Sequence, residues 1–338
     1  MERRIMSLGR SSMVISLPKN WMQLNELNKG DVVSFAIQRD RSLVIYPGAE
    51  RKTKNKEITL RIDQNEDDAL VTRKIIGAFL NGFSGITLIS EKIFSTPQRK
   101  AIRNIAGMLY MRVMESDAKG IYIQTLIDET KASLEQAIQR MHLISQSMCE
   151  DTFRALKEGD LDLAKAVFSL DDDVDHFTFF NLRLLRDAAQ NPMLANELRV
   201  DPLDCMDYQN LVYKMEQAAD YAADVAKHMI MLHGTKEEIP DYVLELMIIA
   251  GNLAVDSYAK SVNAFFSKDV AFSVEILKTL QQVEKLDQDI ASRAFTGEKK
   301  NAQLVCAICS IRDNIKRIGD CAAEIAKIAI NRAFKIAT

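Results

Sequence analysis

Glu216-Gln217-Ala218-Ala219-Asp220 and Lys316-Arg317-Ile318-Gly319-Asp320 decide how most of this chain is read. They lie about 100 residues apart, and each sits late in a long apolar-periodic stretch, the mark of a duplicated unit. The correspondence extends outward from them. Ala155-Leu156-Lys157-Glu158-Gly159-Asp160 answers Ala264-Phe265-Phe266-Ser267-Lys268-Asp269, and Asp172-Asp173-Val174-Asp175 answers Glu284-Lys285-Leu286-Asp287. The 3.6-residue period predicts six helices, over Leu126–Leu156, Leu161–Ala188, Cys205–Leu232, Pro240–Phe266, Val270–Phe295 and Ala302–Phe334. Gly159-Asp160, Asn191-Pro192, His233-Gly234 and Gly297 punctuate them, and such short connections favour antiparallel neighbours. Two tandem three-helix bundles follow, over residues 125–236 and 237–338.

Composition agrees. The 338 residues include 13 Gly, 6 Pro and 15 Met and are 47% hydrophobic and 27% charged, a balance for a mainly α, core-forming protein. Five cysteines, Cys149, Cys205, Cys306, Cys309 and Cys321, are an odd number set in helix-like sequence, so they make a poor disulfide framework and indicate a reducing compartment, the cytoplasm. Cys306-Ala307-Ile308-Cys309 lacks a second cysteine pair and reads as small buried hydrophobes. Charged residues break the apolar runs, so no membrane span is expected.

Residues 1–50 read differently. Strand-like runs at Arg3–Leu8, Met13–Leu17, Val32–Gln38 and Ser42–Tyr46 flank a short helix opened by Pro18, with Trp21, Met22 and Leu24 as its apolar contacts. A β segment of about 50 residues buries too little surface to stand alone, so it is expected to dimerise. Residues 1–56 carry 11 Lys+Arg and 5 Asp+Glu, an excess of six positive charges on a chain of net charge −3. A basic head on an acidic body suits a polyanion. Between head and bundles, residues 51–124 read as a charged linker, Arg51–Lys56, and a small α/β unit with strands at Ile58–Ile62, Gly85–Ser90, Tyr110–Met114 and Ile121–Gln124 and helices at Glu66–Leu80 and Thr96–Ala106. That unit carries no phosphate-cradling glycine pattern, metal-ligand cluster or activated nucleophile.

Glu216 and Asp220 share a helix face, as do Asp171 and Asp175, so carboxylates from neighbouring helices are placed to converge on a hard cation. A solvated or ion-paired acidic face is the alternative. His176, three residues after Asp173, and His228, four after Asp224, have spacings compatible with mixed ligation, but the full di-iron set of Glu-x-x-His pairs is missing. No catalysis is expected.

Two resemblances add to this reading. Arg3-Arg4-Ile5-Met6-Ser7-Leu8-Gly9-Arg10-Ser11-Ser12-Met13-Val14-Ile15-Ser16-Leu17-Pro18-Lys19, Leu27-Asn28-Lys29-Gly30-Asp31-Val32 and Ser42-Leu43-Val44-Ile45-Tyr46-Pro47 resemble the AbrB/SpoVT swapped-hairpin DNA-binding family. That resemblance implies a dimer with interleaved strands and assigns DNA-backbone contacts to Arg3, Arg4, Arg10 and Lys19. The helical repeat, with Arg317-Ile318-Gly319-Asp320-Cys321-Ala322 its most telling piece, resembles the PhoU family of phosphate-uptake regulators. It implies iron, manganese or zinc on bundle carboxylates, here Asp171, Asp175, Glu216 and Asp220 in the first repeat and Asp287 and Asp320 in the second. Lys316, Thr178 and Ile290 stand where that family often has acids. Together they imply a homodimer or higher even oligomer that regulates transcription of phosphate-uptake genes by binding DNA. The competing reading is an adaptor whose head only dimerises and whose bundles contact a phosphate-transporter ATPase or a sensor kinase.

Overall fold

The computed structural model describes residues 2–9, 11–37, 41–48, 56–127, 133–235, 238–294 and 301–335. Arg10, the linker at 51–55 and Gly297 lie outside them. The chain divides into two compact units, residues 1–54 and 55–337.

In the first unit β1 (Met6–Leu8) and β2 (Ser12–Val14) form an antiparallel hairpin in which Met6 faces Val14. A short helix, α1 (Lys19–Leu24), leads through Gly30, at φ +102°, to a second hairpin of β3 (Val33–Ile37) and β4 (Leu43–Pro47). The alternation and turn residues put the strands where the sequence predicts them. No described residue of this unit is buried. Ile5, Met6, Leu8, Met13, Val32, Phe35, Ile37 and Leu43 are all exposed, and Leu24, expected as a helix contact, is 82% exposed. One copy of the head therefore has strands but no interior.

The second unit opens with a four-stranded sheet in the order β5 (Lys56–Arg61), β6 (Phe83–Ile89), β8 (Gly120–Thr125), β7 (Met111–Ser116). β5 and β6 are parallel, linked through α2 (Asp68–Leu80), and the other pairings are antiparallel. α3 (Thr96–Met108) begins at a capping box, in which Ser95 accepts from the Gln98 amide and Gln98 reaches back to that of Ser95. Ile75, Phe79, Ile86, Leu88, Ile102 and Ile123 fill the core between the two helices and the sheet.

The helical region holds α4 (Leu134–Glu158), α5 (Leu161–Gln190), α6 (Pro192–Glu197), α7 (Pro202–Thr235), α8 (Asp241–Ser267), α9 (Val270–Ala294) and α10 (Ala302–Ala333). The six long helices are those expected, with two differences. α4 starts at Leu134, after the Ser133 cap, instead of at Leu126. Asn191-Pro192, read as a break, also starts the short α6, with Asn191 as its cap and Pro192 in its first turn.

The repeat shows in the turns. α4 ends on Gly159 at φ +68° and Asp160 caps α5; α8 ends on Lys268 at φ +55°, and Asp269 accepts from the Phe272 amide at the start of α9. The repeats are not two separate bundles, however. α10 packs on α7 as well as α8, α4 packs on α8, and one apolar core runs through both halves. The closest approach is at Gly251 of α8, where a Cβ would lie 2.4 Å from the ring of Phe153 on α4.

Asp241–Ser267 is long and apolar enough to cross a membrane by length and composition. Its Val243, Met247, Ala254, Tyr258 and Phe265 instead belong to the bundle core.

Candidate functional site

The first repeat gathers carboxylates at the contact between α5 and α7. Asp171 and Asp175 lie one turn apart on α5, and Glu216 and Asp220 one turn apart on α7. Val174 and Thr178 on α5 and Met215, Ala218 and Ala219 on α7 are buried, and their burial fixes which way the acidic stripes turn. Asp171, Asp175 and Glu216 are half-buried, and Asp220 is the most open of the four. Asp171 and Asp220 share a hydrogen bond, which requires a proton between two groups that are usually both ionised.

Crowding raises all four carboxyls. Partial burial and then Asp220, Asp175 and Asp171 bring Glu216 to about 7. Burial followed by Asp171 and Asp172 brings Asp175 to about 6, and burial followed by Asp171 and Asp175 does the same for Asp220. Asp171 is raised by burial and by Asp172. Near neutral pH this patch retains protons where an isolated carboxylate retains none.

The cluster thus supplies hard oxygen donors whose repulsion a cation relieves. Among the described residues no three His, Cys, Asp or Glu side chains are already drawn into a metal cage. The donors fit iron, manganese or zinc in chemistry, and the two helix faces bring them within electrostatic reach, but closing them round an ion requires side-chain movement.

The second repeat has the same frame with different charges. Asp287 pairs with Arg312, with Nε 2.9 Å from Oδ1 in an ion pair that is not aligned as a hydrogen bond. Asp320 is raised by burial, opposed by Lys316, and also feels Glu324, Glu284 and Lys327. Cations therefore accompany both second-repeat candidates, and neither joins the four-acid group.

The histidines are occupied otherwise. His228 Nε2 stands 3.6 Å from Asp224, which also accepts from Asn314 Nδ2 at 2.7 Å, and the ring of His176 packs against Tyr110 at 5.4 Å. Cys306 is exposed and Cys309 half-buried, which corrects their reading as buried hydrophobes. In the head, Arg3, Arg4 and Lys19 are exposed.

Sequence reasoning missed two arginine anchors. Arg183, in the apolar run Leu182–Leu185, is buried and donates to the carbonyls of Phe79 at 2.6 Å and Phe83 at 2.9 Å, while Arg186 donates to that of Leu80 at 2.9 Å. These carbonyls lie in and just beyond the last turn of α2, where cationic donors are favoured. α5 is thereby fastened to the α/β unit at one end and carries Asp171 and Asp175 nearer the other.

Comparison with known proteins follows from this architecture. The PhoU domain matches residues 138–229 and again 248–329, together just over half of the chain. The chain belongs to the PhoU domain family. Two solved PhoU proteins share its fold. PhoU from Pseudomonas aeruginosa aligns with a TM-score of 0.51 and 21% identity, covering 58% of this chain and 93% of its own. The phosphate transport system regulatory protein PhoU from Streptococcus pneumoniae gives 0.52 and 15%, covering 61% and 95%. A search of curated proteins gives no match. The two PhoU matches begin within α4 and α8 and end within α7 and α10, so the repeat read from sequence is the PhoU repeat.

The crowded carboxylates give a pH signature. Their folded pKa values lie above those of the unfolded chain, so the stability they allow is complete below about pH 4 and is lost as pH rises through about 6 to 7. Glu216→Gln with Asp220→Asn should stabilise the protein by about 1 kcal/mol at about pH 8, solvent screening included, and by nothing at about pH 4. Thermal melts at the two pH values check this. Added Mn2+ should raise the melting temperature of the unaltered protein at about pH 8 and leave the variant unmoved.

Proposed function

We propose that the chain is a non-catalytic cytoplasmic regulator of phosphate uptake, an adaptor of PhoU type that acts on phosphate-transport machinery, a transporter ATPase or its sensor kinase. The single observation carrying this reading is the PhoU domain matched in both helical repeats. The Streptococcus pneumoniae relative is itself a phosphate transport system regulatory protein. Asp171, Asp175, Glu216 and Asp220 would hold iron, manganese or zinc, which would supply positive charge between α5 and α7. The head serves as the dimerising module, since its two hairpins bury none of their apolar side chains and leave Met6, Leu8, Met13, Phe35, Ile37 and Leu43 exposed.

In a host strain deleted for this gene, phosphate uptake should escape its normal restraint in phosphate-rich medium, and the intact gene should restore it. Unchanged uptake in the deletion strain defeats the reading.

A second reading keeps the head as a DNA-binding element, and the exposure of Arg3, Arg4 and Lys19 favours it. Duplex binding at low salt should then fall steeply with added salt and weaken in an Arg3→Ala, Arg4→Ala, Arg10→Ala variant. Equal binding by that variant removes this role and leaves the adaptor.

A further inference from the structure

Between α7 and α10, where the two repeats meet, lies a cavity of about 280 Å³. Lys214, Gln217 and Tyr221 line it from α7, and Lys316, Arg317 and Asp320 from α10. Residues spaced three, four and seven apart on each helix form one stripe, so the cavity is built from two facing stripes. It is distinct from the four-acid cluster, which lies at the contact of α7 with α5.

The charges in this cavity are unevenly satisfied. Arg317 Nε is held by Asp313 at 2.6 Å, with its guanidinium 5.5 Å from the centre of the Tyr221 ring. Lys214 Nζ donates only to the neutral amide oxygen of Gln217, at 3.1 Å. Among the described residues neither Lys214 nor Lys316 has a carboxylate within ion-pairing distance. Three cations thus face two carboxylates, Asp313 and Asp320, with the Tyr221 hydroxyl, the Gln217 amide and the Cys321 thiol beside them. Lys316 acts on Asp320 without touching it, and half-buried ammonium groups with no carboxylate in contact attract an anion more strongly than the same groups in open water.

The repeat sharpens the point. Lys316 occupies in the second repeat the place that Glu216 holds in the first. One substitution reverses the sign at that position, while the first repeat retains its carboxylates.

We propose that the groove between α7 and α10 binds a phosphate-class oxyanion, with Lys214 and Lys316 as its charge partners, Arg317 as a planar donor and Tyr221 as a hydroxyl donor. Arg317 exchanges part of its contact with Asp313 for the ligand. The site deepens the phosphate-regulator reading by giving it a ligand. Free orthophosphate and the phosphoryl chain of a nucleotide or polyphosphate share this chemistry.

Calorimetric titration of the full chain in chelator-treated buffer tests it, with orthophosphate, tripolyphosphate and ATP as separate titrants. Binding of at least one is expected. Affinity should fall about tenfold or more in Lys214→Met with Lys316→Met, as expected when charge-assisted contacts are lost. It should fall further in Lys316→Glu. Preference for orthophosphate identifies the free ion, and preference for the chain phosphates identifies the longer ligand. Melting curves confirm that each variant is folded, and the single Lys316→Glu variant decides if the double variant is not. Absence of binding by all three titrants, or equal affinity in Lys316→Glu, overturns the proposal. Intact binding alongside unchanged uptake in the gene-deletion strain would leave the site standing and remove the phosphate-uptake role.

Discussion

Replacing Arg332 with alanine should cost about 3 kcal/mol of stability, near the lower end of what breaking a buried ion pair costs. Arg332 is 6% exposed in the last turn of α10, and its guanidinium lies 4.2 Å from the ring centre of Phe265 and 4.8 Å from that of Tyr208. Its Nη1 stands 3.5 Å from Asp204 and from Asp207 on α7. Alanine removes all four interactions and leaves a hole under two aromatic rings. Lys335, which pairs with Asp201 at 2.5 Å and Asp204 at 2.8 Å, keeps Asp204 from being stranded and limits the loss. Arg332→Met should fare better than alanine because it fills the volume, and Arg332→Met with Asp204→Asn better still because the buried charge goes too. Urea midpoints for the three variants check the order. Alanine and methionine variants of equal stability would mean that packing against the rings counts for little.

Arg183→Ala is the second large effect, also about 3 kcal/mol, but its signature differs. The side chain supplies donors to the carbonyls of Phe79 and Phe83, and its guanidinium lies 4.5 Å from the centre of the Phe79 ring. Truncation leaves two carbonyls short of a donor and thins the contact between the α/β unit and α5. Urea unfolding should therefore broaden or split, with the sheet signal lost before the helical one, whereas loss of Arg332 keeps a single transition. Arg183→Lys should recover only part of the loss, because an ammonium can serve the carbonyls that Nη1 reaches but cannot lie as a plane over the Phe79 ring. Far-ultraviolet dichroism alongside the fluorescence of tyrosines in each unit separates the two outcomes. Coincident transitions in Arg183→Ala would show that Arg186 alone holds the contact.

Local signals were legible in the sequence wherever they act within one element. Val33–Ile37 and Leu43–Pro47 follow alternation, and the six long helices follow the 3.6-residue period and the Gly159-Asp160 and Lys268-Asp269 junctions. The start of α4 was misplaced because Leu126 and Ile127 extend the apolar phase, although Ser133 bears the cap signal. The spacing of Glu216 with Asp220 and of Asp171 with Asp175 puts each pair on one face, but that the two faces meet depends on the packing of α5 on α7. The same limit hid Lys214 and Lys316, which belong to one groove only because α10 crosses α7. Nothing local in the sequence shows that the Arg183 guanidinium ends against carbonyls or that of Arg332 against aromatic rings. The shared core of the two repeats depends on contacts between α4 and α8 and between α7 and α10, which no linear pattern records.

The length of α5 has a mechanical side. Eight residues separate Asp175 from Arg183, about 12 Å along an unbroken helix, and a helix does not shorten under modest load. The same helix therefore holds the acidic stripe at a fixed spacing from the last turn of α2, where Arg183 and Arg186 are anchored. Clearance there is smallest at Gly82, where a Cβ would come within 2.6 Å of Asp187 on α5. Any side chain at Gly82 would push Asp187 away and pry α5 off the turn that Arg183 and Arg186 grip.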